Sequence, residues 1–542
     1  MADERLPGPL PHRVRRLILL AAAVAALLAQ MAAAMVTAAV QQSPTIDEPV
    51  YIGTGTVYLR EHVLRYNPEH PPLGKLLIGA GAVLGGARPG PSFSGDQQEV
   101  GRHVLYESGG DAQRVLLAAR LPVVLLTLLF GLVVFAFARD LAGPAGGVAA
   151  LALYAFSPGV IAHGSLATLD VPAAGLLLTS VWLAWRARWR PRLCAPLAGV
   201  ALGAAVATKM SALPAVPVVL VLVALSVWWS RGRRPVRAGV VAAGGAAALV
   251  VAVVWAGYLA VDPRLRWTAP ADLPAIGGLR GLAVDLLPFP RPFRDGMRVQ
   301  FGFEDLAWTS FLFGDTYRGS RWYYLPAALL VKTPLGTLAL WAAGAAAVAA
   351  LPRLRPAAPY VLVLPAVLLA VAMTGARDLG VRYVIFLPMF LAVAAAGVVA
   401  VRRRWATVVA AALVLFVAVS SLRAFPYYLP YSNEAFGGPA GTHRYLHDSN
   451  VDWGQDLGRL ADRLRDRYPG EPVWLAYKGS GVPSYYGIRA SDPLTAPPER
   501  VRGLLAVSDS WIAKADPRLV PLIASSEPVD EVGHSITIFR RP

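Results

Sequence analysis

Charged residues are scarce in this sequence, and cysteine is almost absent. Asp, Glu, Lys and Arg together make up 16% of the 542 residues, whereas hydrophobic residues make up 56% and occur in long blocks. This composition predicts a polytopic α-helical membrane protein. The single cysteine, Cys194, excludes an intramolecular disulfide and a multi-cysteine metal site. No phosphate-cradling loop motif occurs, so nucleotide use is not indicated.

Eleven apolar stretches approach the length of about 20 residues that a transmembrane helix needs. They cover residues 17–40, 114–138, 145–162, 168–185, 194–209, 213–229, 238–261, 324–350, 358–374, 382–400 and 405–422. We therefore predict about eleven transmembrane helices, joined by two long loops at 41–113 and 262–323.

Arginine placement predicts the orientation, because basic residues accumulate in short cytoplasmic loops. With eleven helices, the arginine clusters all fall on one side: Arg13, Arg15 and Arg16; Arg139; Arg186, Arg188, Arg190 and Arg192; Arg231, Arg233, Arg234 and Arg237; Arg353 and Arg355; and Arg402, Arg403 and Arg404. The N-terminus is then cytoplasmic, and the long loops and the C-terminus lie outside. We expect a multi-pass protein of the bacterial cytoplasmic membrane.

A formal net charge of +17 raises the question of a nucleic-acid partner. Most of the excess lies in the predicted cytoplasmic loops, next to anionic lipid headgroups, so the sequence favours membrane lipids and excludes nucleic acid. Residues 1–40 resemble a signal peptide, but their apolar run exceeds the usual 7–15 residues. An uncleaved signal anchor is therefore predicted.

The predicted outer face collects the polar side chains suited to chemistry. The candidates that several loops bring to this surface are Asp47, Glu48, Glu69, His70, Lys75, His163, Asp170, Lys209, Lys332, Arg377 and Arg382. Ionisable groups at membrane depth are costly, which makes them functional candidates. The inner face carries almost no acidic residues, so we expect an active site outside.

The carboxylates each have a structural and a functional interpretation. Asp47 and Glu48, between Pro44 and Pro49, taken alone favour a solvated loop. Asp170 begins an apolar helix, where a carboxylate acts either as a helix cap or as support for catalysis.

The cations are equally ambiguous. Lys75 lies in an amphipathic interfacial stretch and either extends to headgroups or contacts a phosphate. Lys332 enters an apolar span and needs a counter-charge or a polar cavity, which an anionic headgroup would supply. Arg377 and Asp378 suggest an ion pair that shapes the outer turn, and Arg382, followed by Tyr383, is the better phosphate ligand.

Three motifs in order resemble the GT-C glycosyltransferases of family 39. They are Thr45-Ile46-Asp47-Glu48-Pro49, Glu69-His70-Pro71-Pro72-Leu73-Gly74-Lys75 and Thr168-Leu169-Asp170-Val171-Pro172. This family includes protein O-mannosyltransferases and the aminoarabinose transferases of lipid A. Each motif alone is weak, but their combination is fairly specific.

The resemblance implies transfer from a polyprenyl-phosphate-linked sugar to an acceptor hydroxyl on the outer face, with inversion. An acceptor hydroxyl needs a base, for which we choose Asp47. Glu48 and Asp170 are also predicted to be catalytic: Asp170 is expected to orient the acceptor or the donor sugar, and Glu48 carries over from the motif without a separate task. The leaving phosphate gathers charge that fixed cations stabilise, and Lys75, Arg382 and Lys332, with Tyr383, suit that task. Glu69, His70 and Arg377 are predicted to contact substrate. Some relatives bind a metal, but the sequence gives little indication of a divalent ion.

Residues 1–423 form the predicted membrane domain, and residues 424–542 have the composition of a small extracytoplasmic α/β domain. An amphipathic helix is predicted at 452–468 and strands at 472–477, 503–508 and 535–539. The domain is a candidate for acceptor selection. The acceptor itself, whether glycan, lipid or protein, is left open.

Two other functions fit a polytopic chain. A transporter or flippase of an anionic lipid would also keep charges at membrane depth, but it predicts an inverted repeat, and none is evident. A receptor would use the helices only as an anchor, for which eleven are excessive. The crowding of carboxylates on the outer side favours an enzyme.

Overall fold

The computed structural model describes residues 12–90, 93–230 and 235–542. The predicted cytoplasmic residues Arg231, Arg233 and Arg234 lie outside these ranges. The chain is mostly helical, with a small sheet near its C-terminus. A multi-pass helical protein with a C-terminal α/β region was predicted, and this architecture is confirmed.

The helical part contains seventeen α-helices within the described residues. They are α1 His12–Gln41, α2 Glu48–Arg60, α3 Pro72–Leu84, α4 Gln97–Arg102, α5 Ala112–Ala155, α6 Pro158–Gly164, α7 Asp170–Arg186, α8 Pro191–Thr208, α9 Ala215–Trp228, α10 Val236–Val261, α11 Gly278–Leu286, α12 Arg291–Glu304, α13 Tyr324–Lys332, α14 Leu335–Ala350, α15 Leu364–Ala372, α16 Phe386–Ala395 and α17 Arg404–Arg423. Apolar runs form helices because a helix satisfies its own backbone groups where water is absent.

Six helical segments in the described part are long and apolar enough to cross a membrane by length and composition, or seven if one bent pair counts as a span. Shorter apolar helices, such as α3 and α9, fall below that length. The helical segments follow the predicted stretches closely, but the number eleven stays a prediction.

Helix α5 is a hairpin rather than a straight rod. Gly143 adopts φ 78° and ψ −176°, a non-helical conformation with positive φ that glycine adopts without a steric penalty, and Pro144 follows it. Tyr154 Oη donates to Thr127 O at 2.8 Å, although a straight helix would separate these residues by about 40 Å. The two arms therefore correspond to the separate predicted spans 114–138 and 145–162.

The predicted span 324–350 is broken. Helices α13 and α14 meet at an angle of 118° around Thr333 and Pro334. Proline lacks an amide hydrogen and disfavours a helical residue before it, and Thr333 is extended accordingly. The break places Lys332 at a helix end.

The two long loops, which are predicted to lie outside, contain helices and strands of their own. Helices α2 and α3 cross so closely that a Cβ on Gly55 would lie 2.2 Å from the backbone oxygen of Lys75. The second loop contains α11, α12 and a two-stranded antiparallel hairpin, β1 Thr309–Leu312 with β2 Asp315–Arg318.

The C-terminal sheet has the order β4-β3-β5-β7-β6. Its elements are α18 Leu457–Arg467, β3 Val473–Ala476, β4 Ala490–Ser491, β5 Gly503–Ser508, α19 Asp509–Lys514, α20 Leu519–Ala524, β6 Glu527–Val532 and β7 Ile536–Arg541. Strand β5 pairs parallel with β3 and antiparallel with β7. Three predicted strands thus exist, whereas β4 and β6 were not predicted.

Residues 424–456 pack mainly against the helical part rather than into the sheet. Trp453, Tyr428 and Leu446 belong to the same buried cluster as the membrane helices. The helix predicted from residue 452 begins only at Leu457, because residues 452–456 form turns held by side-chain hydrogen bonds. The predicted domain division after residue 423 stays a prediction, with this segment joining the two parts.

Candidate active site

Asp47 and Arg382 are in contact, although 335 residues separate them. Arg382 Nη1 donates to Asp47 Oδ2 at 2.5 Å. Asp47 directly precedes α2 and makes no capping hydrogen bond, so its side chain is available to the site. It is 25% exposed and Arg382 is 12% exposed, so the pair is accessible to a ligand from one side.

Asp170 and Lys209 form a second ion pair. Lys209 Nζ lies 2.5 Å from Asp170 Oδ1. Asp170 is in the first turn of α7, where Leu169 occupies the cap position and no side-chain cap is formed. The helix-cap interpretation of Asp170 is therefore wrong. Lys209 follows the end of α8, so the two helix ends are joined at this point.

The ring of Tyr383 connects the two pairs. Arg382, Lys209 and Arg377 lie 5.3, 5.8 and 5.9 Å from the centre of this ring. Cations over an aromatic face are stabilised by its quadrupole. The arrangement concentrates three positive charges around one phenol, which suits an anion with several oxygens.

Four buried polar atoms around these pairs have no hydrogen-bond partner within the described residues. They are Nδ1 of His70, Nδ1 of His163, Oη of Tyr383 and Nε of Arg382. Buried polar groups are normally paired, so such a concentration needs an explanation. A polar ligand with several donors and acceptors would supply the missing partners.

The charged residues of the two pairs and their neighbours shift one another's pKa values. Burial raises the pKa of the Tyr51 phenol, and the carboxylates of Asp47, Asp170 and Glu69 raise it further while Arg382 opposes them. Burial lowers the pKa of His70 well below its usual range, and the cations Lys209, Lys75 and Arg377 lower it further. His70 is therefore a neutral imidazole, and Tyr51 remains protonated.

Glu48 does not face this cluster. It has no exposure, and its two oxygens accept from Arg120 Nε and Nη2, Thr45 N and Oγ1, and Ala167 N. All its acceptor positions are thus occupied inside the protein. That Glu48 is a catalytic residue stays a prediction, and its side chain makes all its contacts away from the cluster.

Lys75 and Lys332 are likewise directed inward. Lys75 Nζ donates to Asn67 O and His70 O at 2.7 Å and to Tyr58 Oη at 3.1 Å, and Lys75 is fully buried. Lys332 Nζ donates to Leu429 O and Asn450 O, both at 2.6 Å. Neither lysine forms an ion pair within the described part of the chain.

The remaining predicted residues line the edge of the cluster. Arg377 binds Glu304 Oε1 through Nη2 at 2.8 Å and Nε at 3.1 Å, which ties the outer turn to α12. Glu69 Oε1 accepts from Gln97 Nε2 at 3.1 Å. The suggested pair of Arg377 with Asp378 is wrong, because Asp378 accepts from Tyr317 Oη and the amide of Arg321 instead.

Sequence reasoning missed two features of this site. The partner of Glu48, Arg120, sits inside an apolar helix, and its intramembrane charge was an available signal. Trp453 packs over Arg382 at 4.3 Å, and nothing in the local sequence distinguished it from an amphipathic core residue. Within the described residues, no group of three histidine, cysteine or acidic side chains is placed to hold a metal ion.

Comparison with known proteins bears on this geometry. Residues 24–267, somewhat under half of the chain, match the family PMT, described as dolichyl-phosphate-mannose-protein mannosyltransferase. The predicted resemblance to family 39 is confirmed. The enzyme class that it implies, a membrane glycosyltransferase, is confirmed with it. The match includes Asp47, Asp170 and Lys209 but ends before Arg382 and Tyr383.

Solved structures give further likenesses to this glycosyltransferase. The match to ArnT from Cupriavidus metallidurans in the apo state covers 98% of each chain, with 16% sequence identity and a TM-score of 0.48. The match to the same protein bound to undecaprenyl phosphate covers 95% of this chain and 97% of that chain, with 14% sequence identity and a TM-score of 0.46. The match to the S. cerevisiae protein O-mannosyltransferase Pmt1-Pmt2 complex bound to the sugar donor covers 45% of this chain and 33% of that chain, with 20% sequence identity and a TM-score of 0.33. None of the curated proteins compared with the chain matches it.

Proposed function

We propose that this glycosyltransferase moves a sugar from a polyprenyl-phosphate carrier to an acceptor hydroxyl on the outer face of the cytoplasmic membrane. The single observation that carries this proposal is the Asp47–Arg382 pair with the unpartnered polar atoms around it. The description of the matched family names a sugar joined to an isoprenoid lipid phosphate, which supports the donor class.

In this mechanism, Asp47 is the general base. The acceptor hydroxyl loses its proton as it attacks the anomeric carbon, and a carboxylate within hydrogen-bond reach accepts that proton. Attack on the face opposite the phosphate inverts the anomeric carbon, and the sugar–phosphate bond breaks with its electron pair going to the phosphate. Phosphate leaves readily without a general acid, unlike the hydroxyl in glycoside hydrolysis.

Arg382 and its neighbours receive the leaving phosphate. Arg382, Lys209 and Arg377 surround Tyr383, so an anion placed there meets fixed cations in a water-poor setting. A phosphate that draws Arg382 away frees Asp47 to act as base. The donor is therefore expected to bind before the acceptor reacts.

Asp170 and His70 are proposed to orient the sugar. Asp170 is held by Lys209, and neutral His70 offers an unpartnered ring nitrogen. Lys75 and Lys332, which bind backbone oxygens, are proposed to shape the loops rather than to contact the phosphate. Glu48 is assigned the same kind of supporting role through Arg120.

The proposed location is a bacterial plasma membrane with the N-terminus inside and the C-terminal domain outside. This orientation is supported by the arginine-rich loops on the predicted inner side.

The test uses purified protein in nanodiscs with radiolabelled polyprenyl-phosphate sugars and a membrane extract as acceptor source. Asp47→Asn should abolish transfer while the thermal midpoint stays near that of wild type. Asp462→Asn, in an exposed pair on α18, is the matched control and should transfer normally. Normal transfer by Asp47→Asn would remove Asp47 as the base, and no transfer by wild type from any donor would overturn the proposed function.

A further inference from the structure

The indole of Trp453 belongs to the candidate site, although it comes from beyond the last membrane helix. Its ring centre lies 4.3 Å from the guanidinium carbon of Arg382. The ring of His163 meets it edge-on at 6.0 Å, and Trp453 is 1% exposed. Arg382 is thus enclosed by two aromatic rings, Trp453 and Tyr383, while its guanidinium points to Asp47.

Trp453 lies in residues 448–456, which we name the bridging segment. The segment forms hydrogen bonds with both stretches of chain that supply the Asp47–Arg382 pair. On the Arg382 side, Ser449 Oγ donates to Leu379 O at 2.7 Å, and Val381 N donates to Asn450 Oδ1 at 3.0 Å. On the Asp47 side, the amides of Ile46 and Ser43 donate to the backbone oxygens of Trp453 and Gln455, both at 3.0 Å.

The opposite side of the bridging segment is fixed to the C-terminal sheet and its helices, residues 457–542, which we name the sheet domain. Ser510 Oγ donates to Asp452 O at 3.0 Å and accepts from Asp448 N at 3.0 Å. Ser535 Oγ donates to Asp456 Oδ2 at 2.6 Å, and Lys478 pairs with Asp448. The sheet domain therefore holds the segment in place against the outer face.

We infer that Trp453 is a positioning residue for Arg382 and that the bridging segment sets the distance between Asp47 and Arg382. The inference rests on the proposed function of that pair. Asp47 lies in a loop and Arg382 in a short turn, so neither position is fixed by a continuous helix. When a phosphate draws Arg382 from Asp47, the indole face keeps the guanidinium in the site. The C-terminal domain is then part of the catalytic assembly.

A double-mutant cycle in nanodiscs tests this role. A buried cation–aromatic contact accounts for a rate change of about 30-fold, so Trp453→Leu should lower kcat by about that factor while the donor KM changes little. Trp453→Phe should restore most of the rate. Arg382→Lys keeps the charge but loses the planar stacking group, so Trp453→Leu should cause little further loss in that background. Additive losses, or no rescue by phenylalanine, would overturn the inference.

A substrate-free measurement separates this inference from the proposed function. Hydrogen exchange on the full chain in nanodiscs should become faster at the amides of Ile46 and Val381 in Trp453→Leu. Trp474→Leu is the control, because that indole packs in the second core of the sheet domain and donates to Arg502 O. Unchanged exchange at the amides of Ile46 and Val381 in Trp453→Leu would refute the role inferred for Trp453 and the bridging segment. A wild-type protein inactive with every donor would refute the proposed function and leave this result interpretable.

Discussion

Arg120 and Glu48 form an ion pair in which neither side chain is exposed, with Arg120 Nη2 2.7 Å from Glu48 Oε2 and Nε 2.7 Å from Oε1. Arg120 also donates to the backbone oxygens of Ala39, Gln42 and Ser43, at the C-terminal end of α1. The pair therefore joins α5 to the loop that carries Asp47. Its two charges are compensated only while both partners are present.

Glu48→Gln should destabilise the fold rather than alter the chemistry. Removing one partner of a buried ion pair leaves the other charge uncompensated, at a cost of about 3–5 kcal/mol. We expect a lower thermal midpoint and poor recovery of folded protein, measured by scanning fluorimetry and size-exclusion chromatography. Asp462→Asn, which removes an exposed pair with Arg465, should change little. A normal midpoint with lost transfer would instead make Glu48 a chemical participant.

Asp170 and Lys209 should behave as one unit in catalysis. Asp170→Asn and Lys209→Gln are each expected to lower kcat/KM by about 10- to 100-fold, because each leaves the other charge unpaired at the site. The double variant should be no worse than the poorer single variant, since residues in contact couple strongly. Initial rates at several donor concentrations check this expectation. Multiplicative losses would show that the two side chains act separately.

His70 should contribute without titrating near neutral pH. Burial and the cations Lys209, Lys75 and Arg377 lower the pKa of its imidazole well below the usual range, with Asp170 opposing them, so the neutral ring is favoured over pH 6–8. His70→Gln should reduce kcat/KM but leave the shape of the pH–rate profile unchanged over that range. Loss of an inflection near pH 6.5 in the variant would show that His70 is charged in the working enzyme.

The apolar runs were sufficient to predict the helical architecture. The motifs singled out Asp47 and Asp170, and the polar turn before residue 382 singled out Arg382, but the roles of these three residues stay predictions. Hydrophobic length is a local property, and the polar groups that interrupt it are conspicuous in the sequence. Pairing is not local: Glu48 and Asp47 are adjacent, yet one binds Arg120 inside the protein and the other meets Arg382. Lys75 was assigned to phosphate from its place in an interfacial motif, and Lys332 from its place in an apolar span. Only the fold reveals the backbone oxygens that they bind.

Asp452 should make the attachment of the C-terminal sheet region to the helical part sensitive to pH. Burial raises the pKa of its carboxyl to about 7, with Asp509 adding to the shift and Lys478 opposing it. A folded-state pKa above the unfolded value means that its contribution to stability is full below about pH 4 and is lost as the pH rises to 7. Burial also raises the pKa of Asp509 to about 7, so its contribution to stability changes with pH in the same direction.

The measurement for Asp452 is the difference in thermal midpoint between wild type and Asp452→Asn at pH 5 and pH 8. Burial lowers the pKa of His447 to about 4, so its contribution to stability rises with pH between about 4 and 6.5, opposite to that of Asp452. His447 is present in both proteins, and its contribution cancels in the difference. The variant should gain several degrees relative to wild type at pH 8, because asparagine carries no buried charge, and less at pH 5. A pH-independent difference would show that Asp452 is ionised throughout, with Lys478 compensating its charge.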